Sequence, residues 1–201
     1  LASVALVAGM FVLVPTLTRW LGPAPGTLAV FALYWFGFCL PLGFVFQRPG
    51  QRRGLLSLKV GEQRWVPWSV LALVSLLAVA AWFEWPRPTP WAAITWALPL
   101  AVVNGFAEEF YWRGAFVTQA GGRRGLQVWG VVLFTAWHIP LVFAHGVSYH
   151  GPIVVVGGAA VVGAFWGLIA ARTGRIGWTV VSHILTNAIV FVDLIATNFG
   201  N

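Results

Sequence analysis

Charge is what this sequence has least of. Only 17 of its 201 residues are charged, 12 basic and 5 acidic, or 8%, against roughly 25% in an average soluble domain. So few charges cannot cover the surface of a soluble protein of this size, which excludes an ordinary soluble enzyme. A 59% share of hydrophobic residues and a mean hydropathy of +0.83 exclude a disordered chain. Cysteine is almost absent as well. Cys39 stands alone in an apolar run, so neither an intrachain disulfide nor a cysteine-based zinc site can form, and it reads as a small buried hydrophobe. The net charge of +7 and pI near 11.1 resemble those of a nucleic-acid binder. The basic residues, however, sit in short loops between apolar runs, the pattern that encodes orientation in a bilayer, so no nucleic-acid partner is expected.

What the sequence has in abundance is long apolar stretches, at about 1–18, 26–46, 66–85, 91–112, 126–144, 152–171 and 177–199. A spanning helix needs about 20 mostly apolar residues. These runs are too long and too uniformly apolar for the alternating strands of a barrel. The expected fold is all-α, a polytopic bundle of about seven transmembrane helices forming a single transmembrane domain over 1–201. Residues 1–18 lack a basic leader and are followed by further spans, so they read as a first span rather than a signal peptide. Separators such as Gly22-Pro23-Ala24-Pro25-Gly26 and Pro86-Arg87-Pro88-Thr89-Pro90 punctuate the runs.

Alternation of spans puts three loops on one side. They carry Arg48, Arg52, Arg53, Lys59 and Arg64, then Arg123 and Arg124, then Arg172 and Arg175. Only Arg19 and Arg87 fall on the other side. The positive-inside bias places the basic loops and the N-terminus in the cytoplasm and the C-terminus outside. Trp20, Trp65, Trp68, Trp82, Trp85, Trp91 and Trp178 lie near span ends and read as interfacial anchors. Ala159, Gly163 and Gly167 repeat every four residues, a ridge of small residues for helix packing.

Ionisable groups inside such runs are costly, at least ~2.5–3.5 kcal/mol each on insertion scales, and point to function. Three clusters have them. In Glu108-Glu109-Phe110-Tyr111-Trp112-Arg113, Glu109 and Arg113 are four apart with the acid N-terminal, the favourable order for a helical pair. Glu108 points about 100° away and gains no such partner from its own helix. In Phe134-Thr135-Ala136-Trp137-His138, Pro140 follows closely and removes a backbone donor, so a kink there opens space beside His138. In Ser182-His183-Ile184-Leu185-Thr186-Asn187, His183 and Asn187 share a face. His183 lies six residues into its span, ~9 Å, and His138 twelve residues into its own, ~18 Å. The three clusters are therefore expected to converge on one cavity that opens to the cytoplasm. His145 and His150 read as external loop residues, and Glu62 and Glu84 as solvated acids. Asp193 is assigned to another face of the last span.

Glu108-Glu109-x-x-x-Arg113, Phe134-x-x-x-His138 and His183-x-x-x-Asn187, in that order on successive helices, resemble the CAAX protease and bacteriocin-processing enzyme family (CPBP, once called the abortive-infection family). The resemblance covers about 66–199; the first two spans match only in being apolar. It implies an intramembrane endopeptidase of a bacterial inner membrane, described as glutamate-dependent, acting on a peptide or protein substrate that in some members is lipid-anchored. Eukaryotic members remove the last three residues of prenylated Cys-a-a-X proteins. By position Glu108 would be the catalytic acid, with Glu109 and Arg113 beside it and His138, His183 and Asn187 completing the site.

The chemistry expected of these groups is hydrolysis without a cofactor. Glu108 and His138 polarise a water, and His183 and Asn187 donate to the oxyanion. A zinc version would use Glu108, His138 and His183 as ligands with one position open for water, although the chain has no His-Glu-x-x-His helix. The alternatives are a non-catalytic scaffold or bacteriocin-immunity protein, and a proton-coupled transporter using Glu and His as a relay.

Overall fold

The computed structural model describes residues 1–47, 49–84, 89–116, 120–121 and 123–199, with only the backbone of 49, 51 and 53. Arg48, Trp85, Pro86, Arg87 and Pro88, and the side chain of Arg53, lie outside the described residues. Every regular element among the described residues is helical. We number the helices α1 (Ala2–Leu21), α2 (Pro23–Phe46), the short α3 (Pro49–Leu55), α4 (Trp65–Glu84), α5 (Trp91–Glu108), α6 (Arg124–Trp137), α7 (Gly158–Thr173) and α8 (Gly177–Phe199).

The seven expected spans correspond to the seven long helices. Among the described residues, six segments are long and apolar enough to cross a membrane: α1, α2, α4, α6 with its continuation to Phe143, α7 with its lead-in from Ile153, and α8. The seventh long helix, α5, is not among them, because Asn104 and Glu108 interrupt its apolar face. Local chemistry sets the boundaries. Gly22, with φ +87°, breaks α1 from α2, and Pro23 opens α2, where its missing N–H is not needed. Gly174 ends α7 in the left-handed conformation, its N–H bonding to Ala170 O at 2.9 Å.

Among the described residues, three segments widen into π-helix: Leu33–Cys39 within α2, Glu109–Ala115 continuing α5, and Ile153–Gly157 leading into α7. Such bulges are often found at functional positions. The one after α5 matters most, because all seven of its residues are buried. The expected span 91–112 thus continues past its predicted end, and the two glutamates lie inside the helical rod rather than at its tip.

Ala93, Ala97, Ala101 and Gly105 form a four-residue ridge on α5, each alanine fully buried, facing Phe191, Val192 and Leu194 of α8. A side chain on Gly105 would bring its Cβ to 2.8 Å from Ile184 Cγ1 and 2.9 Å from the Ile184 backbone nitrogen. The helices meet here because small residues let the backbones approach. Gly105→Val should push α5 off α8 one turn from Glu108, costing about 1–3 kcal/mol. It should lower the melting temperature in detergent, and an unchanged one would contradict this packing.

The expected anchors Trp20, Trp68, Trp82 and Trp91 are exposed, whereas Trp35, Trp112, Trp137 and Trp166 are buried around the polar clusters. The two ends of the bundle are distinct. At one, the loops after α3 and α7 meet, with Ile176 N bonding to Leu55 O at 2.7 Å and Arg175 Nη1 to Lys59 O at 3.2 Å. At the other, the loop after α6 folds onto α1 and α8. His145 N bonds to Thr18 Oγ1 at 2.8 Å, and the Asn198 side chain bonds in both directions to the backbone of Ser148.

Candidate active site

The three polar clusters meet in the middle of this bundle. Arg113, 3% exposed, donates from Nη1 to Glu109 Oε1 at 2.9 Å, the pair expected from the four-residue spacing. Its Nη2 donates to Gly163 O at 3.1 Å, and the guanidinium lies 4.0 Å from the centroid of the Phe134 ring. Two hydrogen bonds and a cation–π contact thus compensate a cation deep in an apolar interior. The ridge residue Gly163, assigned above to packing alone, supplies one of those bonds. A Cβ there would stand 2.8 Å from Phe134 Cδ1.

His183 joins the two acids, a connection that helical spacing does not reveal. Its Nδ1 lies 2.9 Å from Glu109 Oε1 and its Nε2 3.3 Å from Glu108 Oε2. Because the carboxylate of Glu109 only accepts, Nδ1 carries a proton and Nε2 faces Glu108. The ring is held by stacking on Trp166, centroids 3.9 Å apart, and the Trp166 indole donates to Ser182 Oγ at 2.9 Å. Glu108 is 1% exposed. Its Oε1 accepts from Trp137 Nε1 at 3.1 Å, while its Oε2, beside His183, has no aligned hydrogen bond. Trp137 lies in a motif string noted above but had been given no role. A large indole that donates only one hydrogen bond is the signal that could have singled it out.

His138 is positioned by the end of α6. The helix tightens into a 3-10 turn over Ile139–Phe143, and the His138 N–H bonds to Thr135 O at 3.1 Å. That frees the Phe134 carbonyl, which lies 2.8 Å from His138 Nδ1. A carbonyl only accepts, so Nδ1 carries the proton and Nε2 is an acceptor. The freed carbonyl that is put to use is therefore that of Phe134. Asn187 is buried, and its Nδ2 has no hydrogen-bond partner.

Glu108, His138, His183 and Asn187 all line one cavity of about 350 Å³. Glu109 and Arg113 lie behind it, one layer deeper. The cavity does not run to the basic-loop end, as the depth arithmetic expected. Its lining extends to Glu84, His150 and Asp193, at the opposite end, and reaches exposed residues of α4, α7 and α8 there. The reason is local: the buried π segment with Trp112 and Arg113 closes the basic-loop side. Asp193 lines the same cavity as Asn187 and pairs with His150, Nε2 to Oδ2 at 2.7 Å. Among the described residues, no three of His, Cys, Asp and Glu are grouped so as to hold a metal ion. Both nitrogens of His183 face carboxylates.

The second long helix and the residue that follows it contribute more than apolar bulk. Trp35 Nε1 donates to Asn104 Oδ1 at 2.5 Å, Tyr34 Oη accepts from Trp112 Nε1 at 2.6 Å, and the Gln47 amide donates to Phe110 O at 2.5 Å. All three contacts brace α5 around its acids from the α2 side.

Fold and site together define an integral membrane helix bundle with a buried acid–imidazole centre facing an internal cavity. A family model described as Rce1-like, type II CAAX prenyl endopeptidase, matches residues 90–189, about half of the chain, from just before α5 to within α8. The chain belongs to this family, and the match takes in all six residues expected to form the site. No curated protein and no solved structure matches the chain.

Proposed function

We propose that the chain is an intramembrane endopeptidase in which Glu108 activates a water for direct attack on a peptide bond. The observation that carries this reading is the buried series Arg113–Glu109–His183–Glu108, which ends on an open cavity. Arg113 neutralises Glu109. Glu109 holds the His183 ring in one tautomer, as the third member of a hydrolytic triad orients its imidazole. His183 Nε2 can then share a proton with Glu108.

A water between Glu108 Oε2 and His138 Nε2 would donate one hydrogen to each, leaving a lone pair directed at the substrate carbonyl. As the O–C bond forms, Glu108 takes the water's proton and the carbonyl electron pair moves onto oxygen. The unpartnered Asn187 Nδ2 is the donor available to that oxyanion. When the C–N bond breaks, Glu108 returns the proton to the leaving amine, with His183 balancing its charge. This departs from the sequence expectation for His183, whose Nε2 is taken up by Glu108.

The substrate is a peptide with an apolar segment, in keeping with the cavity walls, and the family description points to a prenylated, lipid-anchored Cys-a-a-X protein. With the basic loops in the cytoplasm of a bacterial inner membrane, the mouth faces the other side, and substrate reaches it from there or from the bilayer. The test is the wild-type protein in nanodiscs with a farnesylated Cys-a-a-X peptide. Release of the C-terminal tripeptide, read by mass spectrometry, is expected. An intact peptide, with pH-driven proton flux in vesicles, would overturn the proposal in favour of a transporter.

A further inference from the structure

Thr186 stands next to Asn187 on α8 and has drawn no role so far. It is 5% exposed, it lines the cavity, and its Oγ1 has no hydrogen-bond partner. An unpaired buried hydroxyl is costly, and a helical threonine has an easy remedy, which is to bond back to the carbonyl three or four residues before it. Other threonines of this protein do so. Thr18 bonds to Val14 O at 2.7 Å, Thr27 to Pro23 O at 2.7 Å, Thr95 to Trp91 O at 3.0 Å, Thr173 to Ile169 O at 2.8 Å and Thr179 to Ile176 O at 2.9 Å. Thr186 does not.

Helical spacing gives the exception a position. His183, Thr186 and Asn187 are at i, i+3 and i+4, one face of α8, and all three line the cavity beside Glu108. Thr186 sits ~4.5 Å further along the helix axis than His183. The polar atoms left unpaired on this face are thus Thr186 Oγ1 and Asn187 Nδ2, from adjacent residues. Two neighbouring unpaired donors on cavity-lining residues, one turn beyond the group that balances the base, suit an oxyanion once substrate enters.

We infer that the Thr186 hydroxyl is a second oxyanion donor, paired with Asn187 on the substrate's scissile carbonyl oxygen. The inference rests on the endopeptidase reading above. Because the bond strengthens as negative charge develops, its loss lowers kcat rather than raising KM. Thr186→Val keeps the shape and removes the donor, whereas Thr186→Ser keeps the donor.

The test compares wild type, Glu108→Gln, Thr186→Val and Thr186→Ser in nanodiscs on the farnesylated Cys-a-a-X peptide, with melting temperatures alongside. The expected result is a kcat about 10²-fold lower for Thr186→Val at near-constant KM, with Thr186→Ser close to wild type. If wild type cleaves and Glu108→Gln does not, but Thr186→Val matches wild type, the inference fails and the endopeptidase reading stands. Equal loss in the valine and serine variants with a falling melting temperature also overturns it, as a packing effect. If wild type cleaves no faster than Glu108→Gln, the Glu108 mechanism fails and the inference falls with it.

Discussion

Glu108→Gln should lower peptide hydrolysis by about 10³-fold, the middle of the range for loss of a positioned general base or acid, with the melting temperature nearly unchanged. The substitution suits the site. The amide oxygen can still accept from Trp137 Nε1, which lies 3.1 Å from Glu108 Oε1, and the amide N–H can donate to His183 Nε2, on the side where Glu108 Oε2 now stands. Shape and hydrogen bonding survive, and only the ability to take a proton is lost. Steady-state rates on the reporter peptide, with circular dichroism melts of both proteins, check this. A variant retaining a tenth or more of wild-type kcat would show that the proton goes elsewhere.

Arg113→Met should be the most destabilising substitution of the site residues. It removes the cation from a fully buried Glu109 and leaves its Oε1 with only the His183 N–H. Breaking one side of a buried ion pair costs about 3–5 kcal/mol, while replacing both partners by neutral groups is often tolerated. The expected drop in melting temperature is on the order of 10 °C for a chain of this size. The double variant Glu109→Gln/Arg113→Met should recover most of it. Its hydrolysis should stay low, because His183 then faces a neutral amide instead of the carboxylate that holds it. Thermal unfolding of the single and double variants in one detergent decides the matter. A single variant as stable as wild type would mean that Glu109 does not depend on Arg113.

Much of the fold could be read from composition because lipid leaves few choices. The apolar runs at 26–46 and 177–199 fall on α2 and α8 almost to the residue. The spacing of Glu109 and Arg113 gave a real pair, since residues four apart on one helix meet whatever the tertiary arrangement. Contacts between helices were not legible in this way. That His183 bridges two carboxylates depends on how closely α5 and α8 approach, and Gly105 governs that approach. The four-residue period of Ala93, Ala97, Ala101 and Gly105 was present in the sequence as a signal, but alanines in a membrane span are easily passed over as filler.

The direction of the cavity was misread for a specific reason. The apolar run ends at residue 112, but a buried π segment carries the helix on to Ala115 and closes that end. The bracing role of α2 was also hidden. Tyr34 and Trp35 lie mid-span and Gln47 just past the span's end, and only their partners Trp112, Asn104 and Phe110 reveal the role.

The central claim is that Glu108 activates a water which itself attacks the peptide bond. Single-turnover cleavage of the reporter peptide in H₂¹⁸O tests it most directly, with mass spectrometry of both the product and the Glu108 peptide. The account predicts ¹⁸O in the new product carboxylate from the first turnover and none in Glu108. An unlabelled first-turnover product with ¹⁸O in the Glu108 carboxyl would contradict it, making Glu108 a nucleophile rather than a base.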